Sequence, residues 1–286
     1  MKMKRSEKLG MFTGLVVGVL LLLISVFMIF QTTCKVWGAE KPANATQQGI
    51  DVSSHQGKID WEQVKNSALA DYAIIRCGYG VNQTDKDDKY WDYNSSECER
   101  LGIPYGTYLY SGADTTAKAK SEAEHVVRLL QGKNLTYPIY YDMEADMLNQ
   151  LSSTQIGNIA KTFLNTMESY GYKNVAVYSN KYLFETKLTA SVFSDYPKWI
   201  AQHSNKCTYQ GSYHMWQYST QGVIPGISEK VDLNYKIGNW TYAGYSSAKK
   251  TVVVKPKATT IKSLRKSGKK AVKITYKKVS GVSGYQ

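Results

Sequence analysis

The chain has 286 residues, 43% of them hydrophobic and 21% charged, with a formal net charge of +13. That composition excludes a disordered or collagen-like chain, and four cysteines are too few for a disulfide-built scaffold. The charge sits at the ends: residues 249–286 carry 12 Lys and Arg and no acidic residue. The stretch from 9 to 248 is close to neutral, which argues against a nucleic-acid-binding core. Four histidines with no HExxH or CxxC spacing give no reason to expect a metal centre or another cofactor.

In chain order, residues 1–10 form a basic segment expected to stay in the cytoplasm. Residues 11–30, MFTGLVVGVLLLLISVFMIF, carry no charge and as a helix span about 30 Å, the thickness of a bilayer core. They are expected to form a transmembrane helix or the core of a signal peptide, and either would place the rest of the chain outside the membrane. Small residues at Gly38 and Ala39 offer a place for cleavage, so a retained anchor and a secreted form both stay open. Residues 31–48 are expected to be a linker, with the polar run KPANATQQ.

From 49 to 240 apolar runs bounded by turn signals alternate with helical periodicity. Strands are expected at 49–53, 72–77, 105–110, 138–144, 175–179, 198–202, 214–218 and 231–233. Helices are expected from Trp61 after an Asp60 cap, over 90–101, over 114–130, and from Ser152 or Ser153 with Gln155 in capping-box range. The apolar face of the last is Ile156, Ile159, Ala160, Phe163, Leu164 and Met167. Alternation of this kind predicts an α/β fold: an irregular (β/α) barrel with eight mainly parallel strands and fewer than eight helices. The last three gaps are short on helix, so loops should join the final strands.

Chemistry in such barrels sits at the C-terminal ends of the strands. Those ends bring four acids to one rim: Asp51, Asp142, Glu144 and Asp232. Around them fall Arg76, Tyr110, Tyr140, Tyr178, Trp199, Gln202, Trp216 and Gln217 as candidate substrate contacts. Asp142 and Glu144 are two apart on one strand and therefore share a face. Glycoside hydrolysis needs one carboxylic acid to protonate the leaving oxygen and a second carboxylate to support the positive centre. Crowded carboxylates raise one another's pKa, and flat aromatic rings suit the apolar faces of sugars. A cation site from the same acids is a weaker alternative. His125 is expected to be solvated on its helix, and a Cys77–Cys98 bond is not expected, since the two fall near opposite rims.

The segments GIDVSSHQG, IIRCGYG, GIPYGTYLYS, YYDMEA, VYSN, WIAQ, MWQYS and VDLN occur in an order that resembles glycoside hydrolase family 25. These are bacterial and phage N-acetylmuramidases, also called Chalaropsis-type lysozymes. The resemblance covers 49–237 and implies a peptidoglycan substrate, cleaved between N-acetylmuramic acid and N-acetylglucosamine. It implies Glu144 as general acid and Asp142 as the carboxylate that orients or stabilises the substrate's 2-acetamido group. Asp51 and Asp232 match the family's other two acidic positions. His55 departs from the pattern, since many members carry Trp or Tyr there. A non-catalytic wall-binding module on the same barrel and a chitinase-like glycosidase are the alternative readings.

A second linker is expected over 241–255. Beyond it, residues 256–286 resemble the first strands of a fibronectin type III-like module, with an alternating strand at 271–276. Two or three strands fall short of the seven such a sandwich needs. A loose basic hairpin is therefore expected, with anionic wall polymers as its partner.

Overall fold

The computed structural model of the protein describes residues 39–240 and two further strands at 261–266 and 272–276. The expected basic and membrane segments, 1–10 and 11–30, lie outside the described residues, as does the linker at 241–255. Among the described residues no helix is long and apolar enough to cross a membrane.

Eight strands close into one barrel in sequence order. They are β1 (Ala45–Val52), β2 (Tyr72–Tyr79), β3 (Tyr105–Tyr110), β4 (Ile139–Asp142), β5 (Val175–Asn180), β6 (Lys198–Ala201), β7 (Met215–Gly222) and β8 (Val231–Ile237). Neighbours from β1 to β7 pair in parallel, whereas β8 runs antiparallel to both β7 and β1. The crossovers carry α1 (Trp61–Ser67), α2 (Trp91–Leu101), α3 (Thr116–Leu129), α4 (Ser153–Ser169), and the short α5 (Lys181–Thr186) and α6 (Val192–Asp195). The caps fall where the sequence places them. Asp60 accepts from the Gln63 amide at 3.1 Å, and Ser152 with Gln155 forms a capping box.

Strand alternation divides the core into two shells. Outward residues such as Ile75, Leu109, Tyr141, Val177, Ile200 and Trp216 pack under the helices. Inward residues Tyr72, Ile74, Tyr140, Tyr178, Trp199 and Met215 fill the barrel. Gly49 makes room for this: a Cβ there would stand 2.4 Å from the Tyr72 ring. At the N-terminal end of the barrel Tyr72 stacks on Tyr137 at 4.4 Å, and Trp240 closes against Tyr137 and His214. Burial pushes His214 down to about 3, so it is neutral as it bonds the Tyr140 hydroxyl at 2.9 Å.

His125 corrects an expectation: it is fully buried, not solvated. Its Nε2 meets Asp87 Oδ1 at 2.7 Å and its Nδ1 meets the Gly80 carbonyl at 2.9 Å. Arg128, one helical turn on, grips the same Asp87 carboxylate, so α3 staples the loop after β2. Cys77 and Cys98 are buried free thiols. In the tail, β9 (Ile261–Lys266) and β10 (Val272–Tyr276) form an antiparallel pair.

Candidate active site

The four acids converge. Asp51, Asp142, Glu144 and Asp232 line one cleft in the barrel mouth, together with Tyr108, Tyr178, Trp199 and Gln217. Asp51 is the seventh residue of β1 and Asp142 the last of β4. The chain stays extended past Asp142 because both neighbours hold it. The Ser111 amide donates to the Asp142 carbonyl at 2.9 Å, and the Met143 amide donates to the Tyr178 carbonyl at 2.9 Å. Ser179 Oγ adds a bond to the Met143 carbonyl at 2.6 Å. Glu144 therefore projects to the same side as Asp142.

Asp232 reaches the rim by a different route from the one expected. Since β8 runs antiparallel, its N-terminal end meets the C-terminal ends of the others, and Asp232 is its second residue. It sits directly across from Asp51 in the β1–β8 register.

A hydrogen-bonded web ties the two together. Gln217 Nε2 donates to Asp51 Oδ2 at 3.0 Å and to Asp232 Oδ2 at 3.3 Å. Asn234 Nδ2 donates to Asp51 Oδ2 at 2.7 Å, while Trp199 Nε1 donates to Asn234 Oδ1 at 2.8 Å. Burial, then the Asp232 charge, pushes Asp51 well above the usual carboxylate range. Asp232 is pushed up to about 6, again chiefly by burial, and accepts a hydrogen bond from Asp51. The Gln217 amide joins the two carboxyls, and the Asp232 charge disfavours a second charge on Asp51.

Asp142 is the outlier. Burial, then Glu144 and Asp51, hold its carboxyl well above the usual range, with Arg76 pulling the other way. Its buried Oδ1 has no hydrogen-bond partner among the described residues. Glu144 is raised by burial and by Asp51, with His203 and a Tyr178 hydrogen bond opposing. All four carboxyls are thus shifted toward the protonated form, the direction that proton donation to a leaving group requires.

Several expected contacts fall elsewhere. Tyr140 shares the inward parity of Asp142 but lies one pleat deeper, fully buried, with its ring 4.9 Å from Trp199. It is a wall of the core, not a substrate contact. Trp216 has the wrong parity: it faces outward, fully buried, and donates to the Gln202 carbonyl at 2.8 Å. Gln202 itself turns to Thr208, accepting from its amide at 2.8 Å. Arg76 pairs with buried Asp88 at 2.8 Å and with Ser54 at 2.9 Å, bracing the rim beside Asp142. Tyr110 stays about one-third exposed above the acids, and Tyr178 and Trp199 line the cleft as expected. His55 is exposed on the turn after β1. Sequence reasoning missed Tyr108, Asn234, Asp88 and His203. Period two from Tyr110 and Asp232 would have found the first two.

The Asp232 shift makes a stability prediction. Its carboxyl titrates near 6 in the fold against an ordinary value near 3.8. A raised carboxyl stabilises the fold most below its unfolded value, and that contribution is lost as pH rises through 6. Asp232→Asn should therefore be more stable than the parent above about pH 6, by about 1–3 kcal/mol, with the advantage fading toward pH 4. Urea unfolding at pH 4.5 and pH 7.5 measures it, and a pH-independent difference would refute the assignment.

Fold and site together define a closed eight-stranded barrel with four carboxyls gathered at one mouth. The sequence profile of glycosyl hydrolases family 25 matches residues 50–227, and the chain belongs to that family. It is 30% identical over 188 residues to the autolytic lysozyme of Clostridium acetobutylicum, covering 65% of this chain and 55% of that protein. It is 28% identical over 201 residues to lysozyme M1 of Streptomyces globisporus, covering 65% and 66%. Among solved structures it resembles the modular autolysin LytC of Streptococcus pneumoniae in complex with a synthetic peptidoglycan ligand. That likeness has a TM-score of 0.60 at 33% identity, over 66% of this chain and 46% of that one. The chain thus spans about half the length of the clostridial and pneumococcal proteins.

Proposed function

We propose that the protein is a peptidoglycan hydrolase of the lysozyme type, cleaving the β-1,4 bond between N-acetylmuramic acid and N-acetylglucosamine. The observation that carries this reading is the pairing of Glu144, a carboxyl raised by burial, with Asp142, whose buried Oδ1 has no hydrogen-bond partner among the described residues. A glycan 2-acetamido N–H is the group that would complete Asp142. Glu144 then protonates the glycosidic oxygen while Asp142 steadies the acetamido group as it assists at the anomeric carbon. The Asp51–Asp232 pair keeps negative charge near the developing oxocarbenium centre. The names of the relatives and the peptidoglycan ligand of the pneumococcal structure support this substrate class.

Digestion of purified peptidoglycan, with identification of the new reducing end, tests the proposal. A muramic acid end is expected. A glucosamine end, or cleavage of chitin alone, would replace the muramidase reading with a glucosaminidase or chitinase-like one. No cleavage by a folded protein that still binds walls would favour a binding module.

The reading extends to the chain's ends. Residues 11–30 export the protein, as a signal or an anchor, with 1–10 inside. The expected linker at 31–48 is shorter, since β1 begins at Ala45 and residues 45–48 already pair with β8; 31–44 and 241–255 are then the linkers around a catalytic domain at 45–240. The basic segment 256–286, with its fibronectin type III-like strands, contacts anionic wall polymers. Deleting 250–286 should leave the melting temperature and turnover on soluble glycan nearly unchanged. It should weaken retention on whole walls at low salt, because such attraction is screened within about 10 Å at 0.1 M. A large drop in melting temperature on deletion would place the domain boundary elsewhere.

A further inference from the structure

Among the described residues four large apolar side chains are exposed: Tyr79, Tyr110, Tyr182 and Val223. All four lie where strands end at the barrel mouth. Tyr79 and Tyr110 close β2 and β3, Tyr182 comes two residues after β5, and Val223 directly follows β7. Scattered exposed apolar groups need no explanation, but their confinement to the rim that holds the acids does.

Tyr79 reaches that rim through an irregularity in β2. Strict alternation from Ile74 and Arg76 would turn Gly78 inward and Tyr79 outward under the helices. A bulge at Cys77 reverses this. Arg76 pairs with Tyr108, yet Gly78 pairs with Leu109 and Tyr79 with Tyr110. Tyr79 therefore shares a face with Tyr110 and, through the next register, with Asp142. Backbone bonds hold the bulge: the Asp88 amide donates to the Cys77 carbonyl at 2.8 Å, and the Gly80 amide to the Tyr110 carbonyl at 2.9 Å.

The same bulge brings a cation to the ring. Gly78 now faces outward, where a Cβ would stand 2.8 Å from the His125 ring and 2.9 Å from the Lys86 carbonyl. Glycine lets the returning loop come that close, and the loop places Lys86 Nζ 5.2 Å from the centre of the Tyr79 ring. Among the described residues no carboxylate pairs with this ammonium. Its neighbour Asp87 is taken by His125 and Arg128. Tyr79 stays 41% exposed beside it.

We propose that Tyr79 and Lys86 form a binding subsite for a carboxylate-bearing sugar, the second residue along the glycan from the one held at Asp142. Tyr79, Tyr110 and Asp142 lie in register on three successive strands, so Tyr79 stands roughly 10 Å from Asp142 across the sheet. That is close to the advance of two sugars in an extended β-1,4 strand. A sugar over Tyr110 would be the first step and a sugar over Tyr79 the second. In a strand that alternates two sugars, the second neighbour of an N-acetylmuramic acid is again N-acetylmuramic acid, in either direction. Its lactyl group ends in a carboxylate, or in a peptide that carries carboxylates, and Lys86 is the free cation placed to meet it. The inference rests on Asp142 holding a muramic acid. It deepens that reading by naming the side of the mouth that the strand crosses and what grips it there.

Two probes separate ring from charge. Glycan strands stripped of peptide bear a free lactyl carboxylate on each muramic acid, and the same strands with those carboxyls reduced to alcohols bear none. Tyr79→Ala should raise KM on both by about tenfold with kcat within about twofold of the parent. Tyr79→Phe keeps the ring and should stay near the parent. Lys86→Gln should raise KM on the charged strands by about three- to fivefold at low salt and leave the reduced strands unchanged. That effect should fade at high salt, since the ammonium is in contact with solvent. Lys161→Gln, on the outer face of α4, is the control for bulk charge. The basic tail is common to every variant and cancels from the comparison.

Strand affinity is also read as Kd, by titration calorimetry with the same substitutions in the full chain carrying Glu144→Gln. The reducing-end assay judges the functional reading by itself and Kd judges the subsite, so the two can fail separately. Tyr79 and Lys86 lie on the surface, and an unchanged melting temperature shows that a lost affinity is not lost folding. An unchanged affinity in Tyr79→Ala, an equal loss in Tyr79→Phe, a loss on reduced strands in Lys86→Gln, or the same loss in Lys161→Gln would overturn the proposal.

Discussion

Glu144→Gln is expected to lower turnover on peptidoglycan by about 10²–10⁴-fold while leaving the fold and wall binding intact, if Glu144 is the general acid. The carboxamide has nearly the shape of the carboxyl, so the cleft should keep its packing. Only the transferable proton is gone. Burial and Asp51 favour the uncharged form of Glu144 in the parent, so a neutral amide should be tolerated at least as well. Circular dichroism and pelleting with insoluble walls check fold and binding, and release of reducing ends checks turnover. Residual turnover within a few-fold of the parent would remove Glu144 from the acid's role.

Most of the barrel was legible because strands and amphipathic helices announce themselves locally. Asp60 and Ser152 cap helices from sequence alone, and the four acids reach one mouth as the strand ends suggest. The direction of β8 was not read. Yet only residues 223–230 separate β7 from β8, and a parallel return needs about a dozen residues or more. Loop length therefore carried the answer that periodicity did not.

The errors over side chains have three physical sources. Trp216 and Gln217 are neighbours on one strand, so only one can face the cleft, and alternation decides the matter once Met215 is known to be inward. Tyr140 has the correct parity and the wrong depth, which depends on strand stagger and is not written in any one segment. His125 and Gln217 depend on partners far along the chain. Asp87 is 38 residues from His125, and Asp51 is 166 from Gln217. A polar residue on a helix looks solvated until the fold supplies its partner.

Trp199→Ala should produce the largest loss of stability of any single change at the barrel mouth, about 3–5 kcal/mol. The indole is 1% exposed and packs against the rings of Tyr178 at 4.4 Å, Tyr140 at 4.9 Å and Tyr108 at 6.3 Å. These neighbours come from three other strands, so no single backbone shift can close the gap the ring would leave. The indole N–H also satisfies Asn234 Oδ1, and Asn234 in turn holds Asp51. Truncation would orphan that oxygen and free the amide to turn its oxygen on a carboxyl, adding to the cost. For a domain of this size each kcal/mol moves the melting temperature by about 2–4 °C, so a fall on the order of 10 °C is expected. Trp199→Phe keeps most of the ring contact and loses only the donor, so it should cost about 1–3 kcal/mol. Urea unfolding monitored by circular dichroism should show a lower midpoint with an unchanged slope in both variants, larger for alanine. If alanine and phenylalanine cost the same, the Asn234 bond outweighs the packing; if neither shifts the midpoint, Trp199 does not hold the barrel mouth together.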